Sequence, residues 1–151
     1  MVNMIAHRGN MNGPNFEREN QPSYIQEALD AGYDVEVDVW IVDGRTFLGH
    51  DEPQWPVDDA FLKKDRLWCH AKNIEALQFL LSIGSHCFWH EEDRYTLTSK
   101  GVIWAYPGYP PGSRGVQVMP ERTKEGPDET AWGICSDYII LEKIKQICGN
   151  A

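Results

Sequence analysis

Tyr33-Asp34-Val35-Glu36-Val37-Asp38-Val39-Trp40 alternates apolar and acidic residues from Tyr33 to Val39. Successive side chains on a strand point to opposite faces, so Val35, Val37 and Val39 go one way and Asp34, Glu36 and Asp38 the other. The stretch therefore reads as a strand with one face to be covered and one that gathers carboxylates.

Upstream, Met4-Ile5-Ala6 is a short apolar run that ends in His7-Arg8-Gly9, as expected of a buried strand delivering polar residues at its C-terminal end. A loop over Met11 to Arg18 follows. Pro22 then opens a helical pattern in which Ile25, Ala28 and Leu29 share a face, until Gly32 stops it. Downstream, Asp43-Gly44 is a turn signal, and Arg45 to Leu48 returns as a short strand finishing in Gly49-His50-Asp51.

Further along, Leu67-Trp68-Cys69-His70-Ala71 reads as a strand, and Asn73 is placed to cap a helix with Ile74, Leu77, Leu80 and Leu81 as its apolar stripe, ended by Gly84. His86 to His90, Val102 to Ala105 and Val116 to Met119 are three further strand candidates, with no room between them for full helices. Trp132 to Cys135 leads through Ser136-Asp137 into a helix with Ile140, Ile144 and Ile147 on one side. Strands alternating with helices or short crossovers predict a parallel α/β sheet, and about seven such units suggest a closed barrel. A TIM barrel typically takes ~250 residues, against 151 here. The expectation is a reduced TIM-like (β/α) barrel, one domain over residues 1–151, with several outer helices shortened or missing between Glu91 and Thr130.

A hydrophobic fraction of 42% belongs to a globular chain. The formal charge of −9, with no stripe of Lys and Arg, excludes nucleic acid as an expected partner. No run approaches the ~20 apolar residues of a membrane span, and no basic-then-apolar leader opens the chain, so a cytoplasmic protein is expected. Cys69, Cys87, Cys135 and Cys148 show no C-x-x-C pairing and read as reduced core residues. Oligomeric state is not legible.

His7-Arg8-Gly9 at one strand end, Glu36-x-Asp38 on one face of the next strand and His50-Asp51 after the following hairpin form a chemically coherent set. Cleaving a phosphodiester requires a base for the attacking oxygen, an acid for the leaving oxygen and charge to neutralise the phosphate. Two His, an Arg and a carboxylate pair supply it. The i, i+2 spacing aims Glu36 and Asp38 into one space, where a hard cation such as Mg²⁺ or Ca²⁺ takes oxygen ligands.

His7-Arg8-Gly9, Glu19-Asn20, Gly32-x-Asp34-x-Glu36-x-Asp38, Asp43-Gly44 and His50-Asp51 come in the order of the glycerophosphodiester phosphodiesterase signature, and the chain resembles that family over residues 5 to 51. The resemblance implies a TIM barrel, His7 and His50 as the acid/base pair, Arg8 as a phosphate ligand, Glu36 and Asp38 as metal ligands, and Glu19 as a further carboxylate near metal or substrate. Beyond residue 51 it weakens. Asp137 in Gly133-Ile-Cys-Ser-Asp137 is similar to the close of the family's last strand, but it also reads as a helix N-cap. In His70-Ala71-Lys72 the family's Lys is kept, while His stands where a metal-binding carboxylate is usual. Three readings stay open: His70 is a ligand to a metal that accepts nitrogen, the cation rests on Glu36, Asp38 and Glu19, or metal binding is lost. Lys72 reads as a phosphate contact or a surface Lys, His90 as a second-tier site residue, and Trp104 and Tyr106 as pocket lining or packing. The expected activity is metal-dependent hydrolysis of a small phosphodiester; the rivals are a phospholipase of the C or D type on a lipid, and a non-catalytic module that binds a phosphorylated ligand.

Overall fold

A computed structural model of the chain describes residues 1–149. Its strands are β1 (Asn3–His7), β2 (Asp34–Val42), β3 (Arg45–Leu48), β4 (Trp55–Pro56), β5 (Leu67–Ala71), β6 (Cys87–Phe88), β7 (Tyr95–Leu97), β8 (Ile103–Ala105), β9 (Gly115–Val118) and β10 (Gly133–Ser136). The helices are α1 (Pro22–Asp30), α2 (Asp59–Leu62), α3 (Ile74–Ser82) and α4 (Ile139–Gly149). Parallel ladders join the strands in the order β6-β5-β2-β1-β10-β9-β8. The β3-β4 hairpin hangs antiparallel on the far end of β2, and β7 lies antiparallel on β8.

The result is a mixed α/β fold with a curled sheet and few helices, compatible with a reduced barrel. Among the described residues β6 and β8, the two ends of the parallel series, share no ladder. They meet through side chains and a turn instead: the rings of Phe88 and Trp104 lie 4.6 Å apart, and Ser99 N donates to Cys87 O at 2.8 Å. The expected strand over His86 to His90 shrinks to two residues, too few to carry a closing ladder. Between α3 and α4 only 3-10 turns at Gly112–Arg114 and Pro120–Arg122 interrupt strands and loops, so the outer helices are absent where the sequence leaves no room for them.

The period-2 pattern sorts the core into two layers. Val35, Val37 and Val39 of β2 pack outward with Ile25, Ala28 and Leu29 of α1 and with Ala76 and Leu80 of α3. Inside the curl, Ile5, Trp68, Phe88, Trp104, Val116 and Cys135 form the second layer. Asn73 starts α3 by accepting from Ala76 N at 3.0 Å, and its amide also donates to Ile41 O at 2.8 Å, tying the helix to the end of β2.

One expectation fails at the C-terminus: Cys148 is exposed rather than in the core. Helix α4 does carry Ile140, Ile144 and Ile147 on one side, and that side faces solvent at 36%, 50% and 65% exposure. Ile139 and Glu142 face inward instead, because the chain enters α4 directly from Asp137, whose side chain is committed to the interior.

Candidate functional site

The C-terminal ends of the parallel strands carry the polar residues. β1 and β10 are neighbours, with Ala6 opposite Ser136, so His7 and Asp137 emerge side by side. His7 Nδ1 lies 2.7 Å from Asp137 Oδ1. An ionised carboxylate only accepts, so Nδ1 carries the proton and Nε2 is left facing Glu36 Oε2 at 3.8 Å. Burial works to raise the Asp137 carboxyl, but the bond and charge of His7, the Asn10 amide and Arg122 outweigh it and hold it below the usual carboxylate range. Asn10 Nδ2 lies 2.9 Å from both Asp137 Oδ1 and Glu19 Oε1, joining the two acids. Asp137 is therefore a support of His7 and not a helix cap.

Glu36 and Asp38 lie on the inner face of β2, both buried. Asn20 clasps Asp38 from the side: its amide donates to Asp38 Oδ2 at 2.9 Å and its carbonyl accepts from Asp38 N at 2.9 Å. Arg8 Nε is 3.3 Å from the same Oδ2, and Arg8 Nη1 donates to Glu19 Oε2 at 3.1 Å. Both oxygens of Glu19 are thus engaged, by Asn10 and Arg8. Glu19 fixes the guanidinium and stands outside the cluster that the carboxylates of β2 form with His70.

His70 on β5 sits opposite Asp38 in the ladder and completes a three-residue cluster. One ligand atom each from Glu36, Asp38 and His70 lies within 4.8 Å of the others. His70 Nδ1 is 3.2 Å from Asp38 Oδ1 and 3.7 Å from Glu36 Oε1, while its Nε2 is 2.8 Å from the carbonyl of His90. A carbonyl only accepts, so Nε2 carries a proton and Nδ1 is the atom turned to the acids. The 3.2 Å approach is close enough for an ion pair but is not aligned as a hydrogen bond, and Asp38 Oδ1 stays buried without a hydrogen-bond partner. An orphaned carboxylate oxygen beside a second carboxylate and an imidazole nitrogen fits a cation held among the three. Burial opposes charge on His70, yet the nearby negative charges of Asp38 and Glu36 overcome it and lift the metal-free imidazole to about 9. Burial likewise works to raise Asp38, and His70, Arg8 and Lys72 pull it well below the usual range. Lys72 Nζ stands 4.0 Å from Asp38 Oδ1.

A cavity of about 330 Å³ opens above these groups, bordered by His7, Arg8, Glu36, His50, His70 and Lys72. His50 arrives from the hairpin end, its Nδ1 2.7 Å from Asp51 Oδ1. All of the expected site residues are thus gathered at one mouth, with Asp38 and Glu19 directly behind the cavity wall. His90, Trp104 and Tyr106 border it too.

Four residues of the arrangement had no role read from sequence or an ambiguous one: Asn10, Asn20, Arg122 and Asp137. Asn20 carried a signal, because it follows Glu19 in a motif and takes the left-handed φ of 62° that Asn tolerates. Arg122, 3.6 Å from Asp137 Oδ2, carried none. Comparison with protein-family models, with curated proteins and with solved structures finds no match.

Proposed function

We propose that the chain is a metal-dependent phosphoric diester hydrolase on a reduced TIM-like barrel, acting on a small glycerophosphodiester-like substrate. The observation that carries this reading is that His7, His50, Arg8, Lys72 and Glu36, drawn from separate segments, border one cavity with Asp38 behind it. Its size, about 330 Å³, suits a small polar diester.

Arg8 and Lys72 would hold the non-bridging phosphate oxygens, with Glu19 fixing the guanidinium. One of His7 and His50 takes the proton of the attacking hydroxyl at Nε2, and the other delivers a proton to the departing alkoxide. The attacking group is water or a neighbouring hydroxyl of the substrate, the latter leaving a cyclic phosphate to be opened in a second round. Glu36, Asp38 and His70 would hold the divalent metal, which supplies charge neutralisation at the phosphate when bound. A nitrogen donor in that set favours Mn²⁺ or Zn²⁺ over the Mg²⁺ or Ca²⁺ that an all-oxygen set would take.

Screening the purified protein against a panel of glycerophosphodiesters with Mg²⁺, Ca²⁺, Mn²⁺ and Zn²⁺ tests the proposal. Turnover is expected, silenced by a chelator and reduced about 10²–10⁴-fold by His7→Ala or His50→Ala with an unchanged circular dichroism spectrum. Full activity in either variant ends the mechanism. A binding module is the second reading, favoured by one observation: Arg8, His70 and Lys72 already crowd Asp38 with protein cations. Phosphate-ester binding that ignores a chelator, without turnover on any diester, decides for it.

A further inference from the structure

We infer that the opposite mouth of the curled sheet is a second binding pocket, for a small organic anion carrying a flat ring. The strands joined in parallel all begin there, and a cavity of about 420 Å³ opens between the starts of β2, β5, β6 and β8. It is larger than the one at the candidate active site, and the C-terminal ends of α2 and α3 reach its edge at Leu62 and Ile83.

Its electrostatics run against those of the chain. The protein carries a formal charge of −9, yet Lys63, Lys64, Arg66 and Lys100 border this cavity against only two carboxylates, Asp34 and Asp65. The Asp34 carboxylate is already occupied, accepting from Trp68 Nε1 at 2.9 Å. Among the described residues no carboxylate comes within ion-pair distance of Lys63, Lys64 or Lys100. Arg66 donates to the carbonyls of Leu29 and Tyr33, which fixes its position, and its charge acts on the Asp34 carboxylate without a direct ion pair. Unpaired cations around a concave, partly apolar surface focus a positive potential into it. Burial, helped by Lys100, depresses the His86 imidazole to about 4, so the ring is neutral at physiological pH.

The wall is aromatic. The Trp68 ring centroid lies 4.1 Å from that of His86 and 5.9 Å from that of Trp132, and Trp132 keeps 39% of its surface exposed. A large indole left half bare at the lip of a cavity offers a face for stacking, and the lysines around it offer charge for a phosphate or carboxylate. A ring bearing such a group uses both; a free inorganic anion or an uncharged ring uses one.

Isothermal titration with adenosine monophosphate, adenosine and inorganic phosphate as probes tests this, with tryptophan fluorescence recorded alongside. The monophosphate is expected to bind with a Kd of about 1 mM or tighter, more tightly than either fragment, to quench Trp132, and to weaken as salt is added. The surface double variant Lys64→Glu, Lys100→Glu should lose at least about tenfold in affinity while phosphodiester turnover is unchanged. Lys72→Ala, at the other mouth, should leave monophosphate binding intact. Binding unchanged in the double variant, binding lost in Lys72→Ala, or no binding of the monophosphate overturns the inference.

Discussion

At the scale of single residues the site is a set of buried charges that hold one another in orientation, and this makes two substitutions informative. Asp137 accepts from His7 Nδ1 at 2.7 Å and so fixes which ring nitrogen faces the cavity. Asn at that position offers N–H as readily as C=O, freeing the imidazole to take the other tautomer. Asp137→Asn is expected to reduce kcat by about 10²–10⁴-fold with little change in KM; a variant with wild-type kcat would show that the pair is structural only. His70→Glu restores an all-oxygen set with Glu36 and Asp38. Titration calorimetry should then find Mn²⁺ or Zn²⁺ bound on the order of tenfold or more weaker, with Mg²⁺ or Ca²⁺ gaining. An unchanged order of metals would remove His70 from the cation site. The acidic residues of this set were legible in the sequence because strand alternation forces Glu36 and Asp38 to one face. The role of Asp137 was not, since a Ser-Asp before a helix has a local explanation that competes with a contact across 130 positions.

At the scale of elements, the β2-β3 hairpin and its exit decide where His50 stands. Gly49 has φ +154°, and a Cβ there would meet Glu52 O at 2.0 Å. Its own backbone also holds the corner: Gly49 N donates to Asp38 O at 3.1 Å, and Gly49 O accepts from Trp40 Nε1 at 2.7 Å. Gly49→Ala must therefore shift backbone rather than a flexible side chain. A loss of about 2 kcal/mol or more in urea unfolding is expected, together with reduced turnover as His50 is displaced. Gly44→Ala, in the turn of the same hairpin, has open space around its Cβ and only its φ of +72° to accommodate, so about 1 kcal/mol is expected there. Equal losses in the two would contradict the steric account. The hairpin itself was readable from Asp43-Gly44, and α1 and α3 from their Pro, Asn and Gly boundaries, because turn and cap chemistry is local. The middle strands were not readable in extent: β6 has two residues because Trp89 and His90 leave the ladder, their carbonyls accepting from the side chains of Thr96 and His70.

At the scale of the whole molecule, the curled sheet with outer helices only where the sequence has room for them follows from length, but the outward face of α4 does not. Periodicity gives the spacing of Ile140, Ile144 and Ile147 and leaves open which side turns inward; the buried Asp137 sets that phase. The same burial of charged groups gives the protein a distinctive pH dependence. His86 falls to about 4 in the folded state, against about 6.5 unfolded. Below about 6.5 the unfolded chain binds a proton there that the native state refuses, so stability is lost as pH falls toward 4. His70 moves the opposite way, to about 9 in the metal-free protein. Its contribution is fully present below about 6.5 and is lost as pH rises through 9. The buried thiol of Cys69, pushed far up mainly by burial, adds to the alkaline loss only above about 8.5, where an unfolded thiol begins to ionise. Thermal melts of the chelator-treated protein should peak near pH 6.5, with the fall between 6.5 and 8.5 belonging to His70. His70→Gln should flatten that limb and leave the acid limb in place. Saturating Mn²⁺ or Zn²⁺ should flatten it too, because the ligating imidazole is then neutral and its proton no longer carries stability. A metal-free melting temperature that stays level from pH 6.5 to 8.5 would mean that His70 does not hold its proton between Asp38 and Glu36 in solution.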